Sequence, residues 1–151
     1  MEGVEVKTYF DFAENDYMFL QKIDISEPSS YNTFCSLSQF VCERYLKHIV
    51  EEFVKPTSAV EDSGKKDVLR THSLRKLCSY LDDFVPEFEI DTSLVYKAEG
   101  FYFSVRYPGD NSFFAKLRDV QDCMEAVDGT RSAIRVFLKL DNPAADAPDE
   151  R

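Results

Sequence analysis

The chain has 151 residues, 44% of them hydrophobic and 30% charged, which suits one folded domain and excludes a disordered protein. Its formal net charge of -10 argues against broad electrostatic binding to nucleic acid or anionic membranes, because such binding needs clustered Lys and Arg. The opening MEGVEVKTYF lacks the basic-then-apolar pattern of a signal peptide, and no apolar run approaches the ~18 residues of a membrane span. We therefore expect a cytoplasmic protein with one domain over residues 1–140 and a disordered Pro-, Ala- and Asp-rich tail over residues 141–151.

The first two periodic segments predict amphipathic helices. Apolar residues spaced by three and four predict a helix over residues 8–25, which the breaker-rich SEPSS at 26–30 ends. The strongest pattern covers residues 31–55, and Pro56 stops that helix. Its apolar stripe consists of Phe34, Leu37, Val41, Tyr45, Ile49 and Phe53.

The middle of the chain predicts a loop followed by a third helix. The polar segment PTSAVEDSGKKD, residues 56–67, is typical of an exposed loop with Ser63 and Gly64 at its tip. Apolar spacing over residues 71–84 predicts a helix, with Thr71 or Ser73 as its N-cap.

The aromatic segment FYFSVRYPGD, residues 101–110, fits either a strand or the end of a helix. Its apolar side chains alternate as in a strand, but Leu94, Ala98 and Phe101 also follow helical spacing. No neighbouring segment predicts a partner strand, and a lone strand would leave its backbone groups unpaired. We therefore predict a helix over residues 92–106 that ends by Tyr107, because the residue before a proline avoids the α conformation.

A last apolar stripe predicts a helix over residues 110–140, in which Gly129 breaks or bends the helix at a cost of ~1 kcal/mol relative to Ala. Helices joined by short loops pack as antiparallel neighbours. The predicted fold class is therefore all-α, an up-and-down antiparallel bundle of about five helices.

The cysteines and the missing enzyme motifs restrict the function. None of the cysteines forms a C-x-x-C pair, and without a secretory signal we expect reduced, buried thiols at Cys35, Cys42, Cys78 and Cys123. The sequence contains no G-x-x-x-x-G-K-[ST] loop, no G-x-G-x-x-G turn, no G-x-S-x-G elbow and no H-E-x-x-H pair. It therefore predicts no cofactor and no metal site.

Three motifs in the same order resemble the HEPN domain family. QFVCERYLKHIV, residues 39–50, is similar to the family's second-helix pattern Gln-x-x-x-Glu-Lys-x-x-Lys. THSLRKL, residues 71–77, resembles its Thr-His-x-Leu-x-x-Leu segment, and FSVRYPGD, residues 103–110, resembles its Arg-Tyr-Pro turn. The resemblance extends over residues 9–139 and implies a helical bundle that is commonly dimeric. The family includes ribonuclease toxins and proteins that accompany a small nucleotidyltransferase or are proposed to bind nucleotides.

The same resemblance argues against ribonuclease activity. The toxins need an Arg followed about four to six residues later by a His, which transfers protons while the guanidinium steadies the phosphate. Here only three residues separate His48 from Arg44, which is too few, and the pair lies on a different helix from that of the toxin motif; His72 follows Arg70 by two residues. No histidine follows His72, so the later arginines lack the partner that the family motif requires.

Five residues are candidates for ligand binding: Arg44, Lys47, His48, Arg106 and Tyr107. The first three share a helical face and either hold a phosphate or form ordinary charge pairs with neighbouring acids such as Glu43. Arg106 either binds a ligand or serves the structure, by pairing with an acid such as Asp16 or by stacking on an aromatic ring.

The other conspicuous side chains have plainer interpretations. His72 either binds a ligand or, as is commoner, caps or packs. A base-stacking platform needs exposed aromatics among basic residues, which the acidic balance disfavours. We therefore predict that a set of phenylalanines is buried: Phe10, Phe12, Phe34, Phe40, Phe53, Phe84 and Phe113.

The leading hypothesis is a non-catalytic HEPN-like bundle that works by binding. It is expected to form a homodimer, and either to pair with a nucleotidyltransferase or to bind a nucleotide in a cleft near Arg44, Lys47 and Arg106. The alternatives are a divergent ribonuclease that uses Arg44 and His48, and a scaffold whose apolar seam serves only dimerisation.

Overall fold

A computed structural model describes residues 7–109 and 111–142, and this part of the chain is helical without a strand. Short 3-10 helices cover Pro28–Ser30 and Tyr96–Ala98. The α-helices are α1 (Tyr9–Leu20), α2 (Tyr31–Phe53), α3 (Ala59–Leu69), α4 (Leu74–Phe84), α5 (Thr92–Val95), α6 (Phe101–Ser104) and α7 (Leu117–Phe137). The all-α prediction is confirmed. No described helix combines the length and the apolar character that crossing a membrane requires.

Helix α2 forms the centre of the fold and packs most extensively on α7 and α1. Its fully buried residues include Tyr45, Leu46 and Ile49, and α7 contributes Val127 and Ile134 from the facing side. Burying such side chains is the main favourable term in folding, about 1.5–3 kcal/mol for each large apolar group. Four of the six residues of the stripe predicted for α2 are buried, whereas Leu37 is half-buried and Phe53 is exposed at the end of the helix. The four cysteines are free and buried as predicted.

Local signals set the bounds of α1 and α4. The Thr8 side chain accepts a hydrogen bond from the backbone N–H of Asp11, whose carboxylate accepts one from the backbone of Thr8, so that α1 begins with a capping box. Helix α1 ends at Leu20, five residues before the predicted end at residue 25. Ser73 caps α4 by accepting from the N–H of Lys76 at 3.1 Å, which confirms one of its two predicted N-caps.

The predicted loop over residues 56–67 is wrong, because helix α3 occupies most of it. Ser58 caps the helix through the N–H of Glu61 at 3.1 Å, and Asp62 pairs with Lys66 one turn later. Lys65 donates from α3 to the backbone carbonyls of Glu51 and Val54 at the C-terminal end of α2. These caps and pairs outweigh the modest helix cost of a glycine at the centre of α3.

Substitutions at the N-cap and at the central glycine of α3 should change the free energy of unfolding in opposite directions. We expect Ser58→Ala to lower the free energy of unfolding by about 1 kcal/mol, because the first turn of α3 loses its cap. Gly64→Ala should raise it by about 0.5–1 kcal/mol, because an added Cβ meets no atom within 4 Å and Ala favours the helix. Urea unfolding followed by circular dichroism measures both. A loop over residues 56–67 would leave both values near zero.

The single helix predicted over residues 92–106 is also wrong. Helix α5 passes into the 3-10 helix Tyr96–Ala98, and Gly100 then adopts the left-handed conformation with φ 90° before α6 begins. The break places the Glu99 carboxylate on the free N–H groups of Leu74 and Arg75, at 3.2 and 2.7 Å, at the start of α4. Helix α6 ends at Ser104, before Tyr107 as predicted.

Helix α7 begins at Leu117, seven residues later than predicted, and the predicted start at Asp110 lies outside the described residues. Gly129 does not break the helix, which continues through it to Phe137. A Cβ on it would lie 3.1 Å from Leu94 Cδ1, so the glycine allows α5 to approach α7 closely. The predicted tail lies outside the described residues from 143 onward, whereas Asp141 pairs with Arg135 at 2.9 Å.

The prediction that the phenylalanines are buried holds only in part. Phe34 is buried and Phe10 packs at the edge of the core. Four others are substantially exposed: Phe12, Phe53, Phe84 and Phe113. Phe40 is half-buried on α2, and its position defines the candidate site.

Candidate functional site

A buried carboxylate joins α2 to the segment that precedes α4. Glu43 is 2% exposed, and its Oε2 lies 3.5 Å from Lys47 Nζ and 3.3 Å from His72 Nδ1. Gln39 donates from Nε2 to the backbone carbonyl of His72 at 2.6 Å and lies 3.4 Å from Glu43 Oε1. Residues 39, 43 and 47 follow one another at intervals of one helical turn, so one row of α2 supplies three of the four partners.

The electrostatics of this cluster reflect its burial. Loss of solvent raises the pKa of Glu43, and the charges and hydrogen bonds of Lys47 and His72 lower it without cancelling that rise. Because Lys47 is 7% exposed, the two opposite charges depend on each other for stabilisation. The cluster thus fixes the position of His72, whose side chain remains partly exposed.

Two guanidinium groups lie over the ring of Phe40, the residue that follows Gln39. Arg44 lies 5.4 Å from the centroid of the Phe40 ring and Arg106 lies 5.6 Å from it, within the range of cation–π attraction. The His72 ring meets Phe40 edge-on at 6.0 Å and Phe103 at 6.4 Å. We call Phe40, Arg44, His72, Phe103 and Arg106 the Phe40 surface.

An open groove of about 350 Å³ runs beside the Phe40 surface. It is lined by Asn32, Thr33, Ser36, Leu37, Phe40, Val105 and Arg106. Its volume falls at the lower end of small-molecule sites, which begin near 300 Å³. Arg106 is exposed at the edge of this groove and lies equally close, at 5.6 Å, to the ring of Tyr107. The groove thus combines an apolar wall with a cation suited to an anionic group.

The structure divides the predicted site residues into two groups. Arg44, Arg106 and Tyr107 lie at or next to the Phe40 surface, and Arg44 is also paired with Asp16 of α1. Lys47 is instead directed at Glu43 in the interior. The Arg106 guanidinium stacks on aromatic rings, one of the two structural roles considered for it.

His48, the remaining predicted residue, follows Lys47 on α2 and is buried against Phe10 of α1. Its ring is 8% exposed and lies 5.6 Å from the ring of Phe10, and its Nδ1 atom has no hydrogen-bond partner. Burial lowers the pKa of His48 below its usual 6.5, although the charges of Glu52 and Asp11 partly oppose that shift. The geometry therefore favours a neutral packing residue at this position.

Replacing His48 by Phe should reduce the acid sensitivity of folding. Because the pKa of His48 is lower in the folded state, the unfolded chain takes up a proton first as the pH falls through 6.5. Wild-type stability should thus decline between pH 7 and 5 by more than that of His48→Phe, whose ring cannot ionise. Urea unfolding at several pH values measures the difference. Parallel curves for the two proteins would contradict the burial of a neutral imidazole.

Sequence reasoning did not assign four residues to the site, namely Gln39, Glu43, Phe40 and Phe103. The signal for the first two was present, because positions 39, 43 and 47 match one family pattern and share one helical row. Their inward direction and their contact with His72 depend on how the segment before α4 packs, which a helical pattern does not reveal.

The fold and the site define a helical-bundle domain in which three separated motifs come together. Gln39 and Glu43 of the first motif contact His72 of the second. Phe40 of the first motif contacts both His72 and Arg106 of the third. A family model described as the HEPN domain matches residues 22–137. The chain therefore belongs to the HEPN domain family, which confirms the resemblance found in its motifs. No curated protein and no solved structure matches the chain at a significant level.

Proposed function

We propose that this protein is a non-catalytic HEPN bundle that binds a phosphate-bearing ligand of the nucleotide class at the Phe40 surface. The observation that carries the proposal is the position of Arg44 and Arg106, whose guanidinium groups share the Phe40 ring beside an open groove. Guanidinium groups bind phosphate oxygens through paired hydrogen bonds, and an aromatic wall suits a base or a sugar face.

The surrounding charges support a site for one small anion rather than for a long polyanion. The chain as a whole carries a net charge of -10, which repels extended phosphate backbones. Asp16 holds Arg44 in place and offsets part of its charge, so Arg106 contributes the more exposed cation. The buried cluster of Glu43 beneath the surface fixes His72 and thereby supports the Phe40 ring.

Titration calorimetry with the four ribonucleoside 5′-monophosphates tests the proposal. We expect measurable binding of at least one nucleotide, and a loss of about tenfold or more in affinity for Arg106→Ala, because a charge-assisted contact to phosphate is removed. Arg75→Ala is the matched control, since Arg75 also stacks on a ring, that of Tyr96, at 4.2 Å on helix α4. Absence of binding by every nucleotide, or equal losses for the two variants, would count against the proposal.

The ribonuclease alternative gains little from the geometry. Its proton carrier would be His48, which is buried beside Phe10, and its phosphate ligand would be Arg44, which is paired with Asp16. A general base must reach the proton that it removes. Cleavage of RNA by the purified protein, abolished by His48→Ala, would establish that alternative over the present proposal.

The proposal includes assembly into a homodimer, which exposed apolar residues on α1 support. Phe12 and Phe19, two turns apart on one face, are each 54% exposed, and Met18 lies beside that face. We expect a dimer in sedimentation experiments and a monomer for the double variant Phe12→Ser/Phe19→Ser. A wild-type monomer at all concentrations would exclude the dimer and would leave ligand binding untouched.

A small nucleotidyltransferase is the proposed protein partner. The support for it is family membership, since some HEPN proteins accompany such enzymes. Co-expression with any small nucleotidyltransferase found to be encoded beside this protein, followed by size-exclusion chromatography, tests this part. Separate elution of the two proteins would count against it.

A further inference from the structure

A second groove adjoins the first, and Arg106 lines both. It has a volume of about 360 Å³ and is lined mainly by the turn that follows α6, including Tyr107, Pro108, Phe113 and Phe114. The two grooves are of nearly equal size, and both are lined by Asn32, Val105 and Arg106. Arg106 is thus shared by two similar grooves, and its guanidinium lies 5.6 Å from an aromatic ring of each, Phe40 in the first and Tyr107 in the second.

The second groove has walls that suit a planar ring. Phe114 is 85% exposed, and Phe113 and Tyr107 are also exposed. Phe113 packs edge-on against the buried ring of Phe101 at 5.8 Å, which fixes one wall. Exposed aromatic side chains next to cations are the usual platform on which nucleic-acid bases stack.

Hydrogen bonds hold this turn against α2, so that the second groove is formed before a ligand arrives. The N–H of Phe113 donates to the carbonyl of Ser104 at 2.9 Å. The N–H of Ala115 donates to Asn32 Oδ1 at 2.7 Å, which joins the turn to the first turn of α2. Preformed walls reduce the entropy lost on binding.

Local charge is opposite to that of the whole chain. Residues 101–118 include Arg106, Lys116 and Arg118 and a single acid, Asp110, whereas the chain carries a net charge of -10. This segment therefore repels an anion less than the rest of the chain does. Each groove alone has room for about one nucleoside-sized group, given that small-molecule sites begin near 300 Å³.

We infer that the ligand of this site is a dinucleotide, two nucleosides joined by one phosphodiester, with the phosphate at Arg106 and one base in each groove. This inference rests on the proposed function and makes it more specific. A single base would leave one of the two aromatic grooves empty, whereas a phosphodiester between two bases matches one cation between two rings.

Calorimetry with matched probes tests the inference on the full chain. The first probes are the complete set of ribodinucleoside monophosphates. The second are ribonucleoside 3′-methylphosphodiesters, which carry the same single negative charge but only one base. We expect the best dinucleotide to bind about tenfold to a hundredfold more tightly than its one-base counterpart, the usual range for one stacked base.

Variants assign the gain to the second groove. Phe114→Ala should reduce the affinity for the dinucleotide to about that for the methylphosphodiester, whereas Phe84→Ala, which removes an exposed ring on α4 that lines neither groove, should change neither. Arg106→Ala should weaken both probes. Suppose that mononucleotides bind in a way that depends on Arg106, but that no dinucleotide binds more tightly or that Phe114→Ala has no effect. Either result would overturn the inference and leave the proposed function standing. No binding by any probe would overturn both.

A longer strand is the remaining competitor, and a tetranucleotide distinguishes it. Two grooves accommodate two bases, so the tetranucleotide that contains the preferred pair should bind no more than a few-fold more tightly than the dinucleotide. A gain of that size follows from the few positions at which the longer strand can occupy the grooves. A gain of more than tenfold would mean that additional bases are bound, and would replace the dinucleotide by a single-stranded nucleic acid.

Discussion

Replacement of Glu43 by Ala should lower the free energy of unfolding by about 3–5 kcal/mol, one of the two largest effects that we expect from a single change in this protein. The substitution leaves Lys47, only 7% exposed, without its carboxylate partner. It also removes the anchor of His72 and one contact of Gln39. A buried charge that loses its partner retains the full cost of its desolvation, which is why the loss exceeds the net contribution of the pair.

A second variant distinguishes an unpaired charge from simple loss of packing. In Glu43→Leu/Lys47→Met both charges are replaced by apolar side chains of similar length, so we expect stability within about 1 kcal/mol of the wild type or above it. Urea unfolding at pH 7 measures both variants. If the double variant were as unstable as Glu43→Ala, the loss would have to come from the contacts with Gln39 and His72. A cost below about 1 kcal/mol for Glu43→Ala would mean that Glu43 is not buried against Lys47 at all.

The same variants should separate stability from ligand binding. Phe40 is positioned in part by the edge-on His72 ring, which Glu43 holds. The double variant is therefore expected to fold and yet bind nucleotide more weakly than the wild type. The reason is that His72 becomes free to change rotamer beneath the site.

Much of the helical architecture was predictable, because apolar periodicity and the signals for helix ends agree where the helices are long. Helix α2 has an unbroken apolar stripe and ends before Pro56, and α4 begins at a capping serine, Ser73. Helix α3 was missed because it buries mainly one side chain, Val68, and because Ser63 and Gly64 are more typical of a turn. Its stability comes from caps and charge pairs, which a search for apolar stripes does not detect.

The break before α6 has a different cause. Helical spacing from Leu94 to Phe101 continues across Gly100, but periodicity contains no information about a residue in the left-handed conformation. The break becomes favourable only through a distant contact, since Glu99 caps α4 some 24 residues earlier in the chain. Such long-range compensation is a property of the packed fold and cannot be derived from a local window.

The sequence identified the cations of the site, but it did not reveal which way the neighbouring polar side chains of α2 point. Arg44 and Arg106 belong to motifs, and the structure places both on Phe40. Lys47 and His48 were assigned to the same outward face because charged residues usually face solvent. Neighbouring elements cover most of α2 between Phe34 and Val50, so Lys47 and His48 are buried. Lys47 pairs there with Glu43, and His48 packs against Phe10.

Glu14 is the second residue whose loss should be costly, because it connects three helices. From α1 its Oε1 accepts hydrogen bonds from Arg131 Nε at 2.8 Å and from the Tyr45 hydroxyl at 2.5 Å. Its Oε2 accepts from Arg131 Nη2 and Arg135 Nη1, each at 3.2 Å. One carboxylate thus joins α1 to the two central helices, α2 and α7. Because the site is partly exposed, we expect Glu14→Ala to cost about 2–3 kcal/mol, less than a fully buried pair.

The pH dependence of this effect provides the sharper measurement. Burial raises the pKa of Glu14. Hydrogen bonds from Arg131 and Tyr45 and the charges of Arg131 and Arg135 lower it by more, so the pKa lies below its usual 4.5 in the folded state. A carboxylate with a depressed folded pKa stabilises the protein above the unfolded pKa, and this contribution is lost as the pH falls through the folded pKa.

We compare the wild type with Glu14→Gln, which keeps the shape of the side chain and a carbonyl acceptor for the Tyr45 hydroxyl but carries no charge. The wild type should be the more stable by about 1–2 kcal/mol at pH 6–7, and the difference should close as the pH falls below 4.5. Glu61→Gln on the exposed start of α3 should show a smaller difference at neutral pH. A difference for Glu14→Gln that stayed constant into acid would mean that the amide disturbs packing, and that the Glu14 charge does not hold the three helices together.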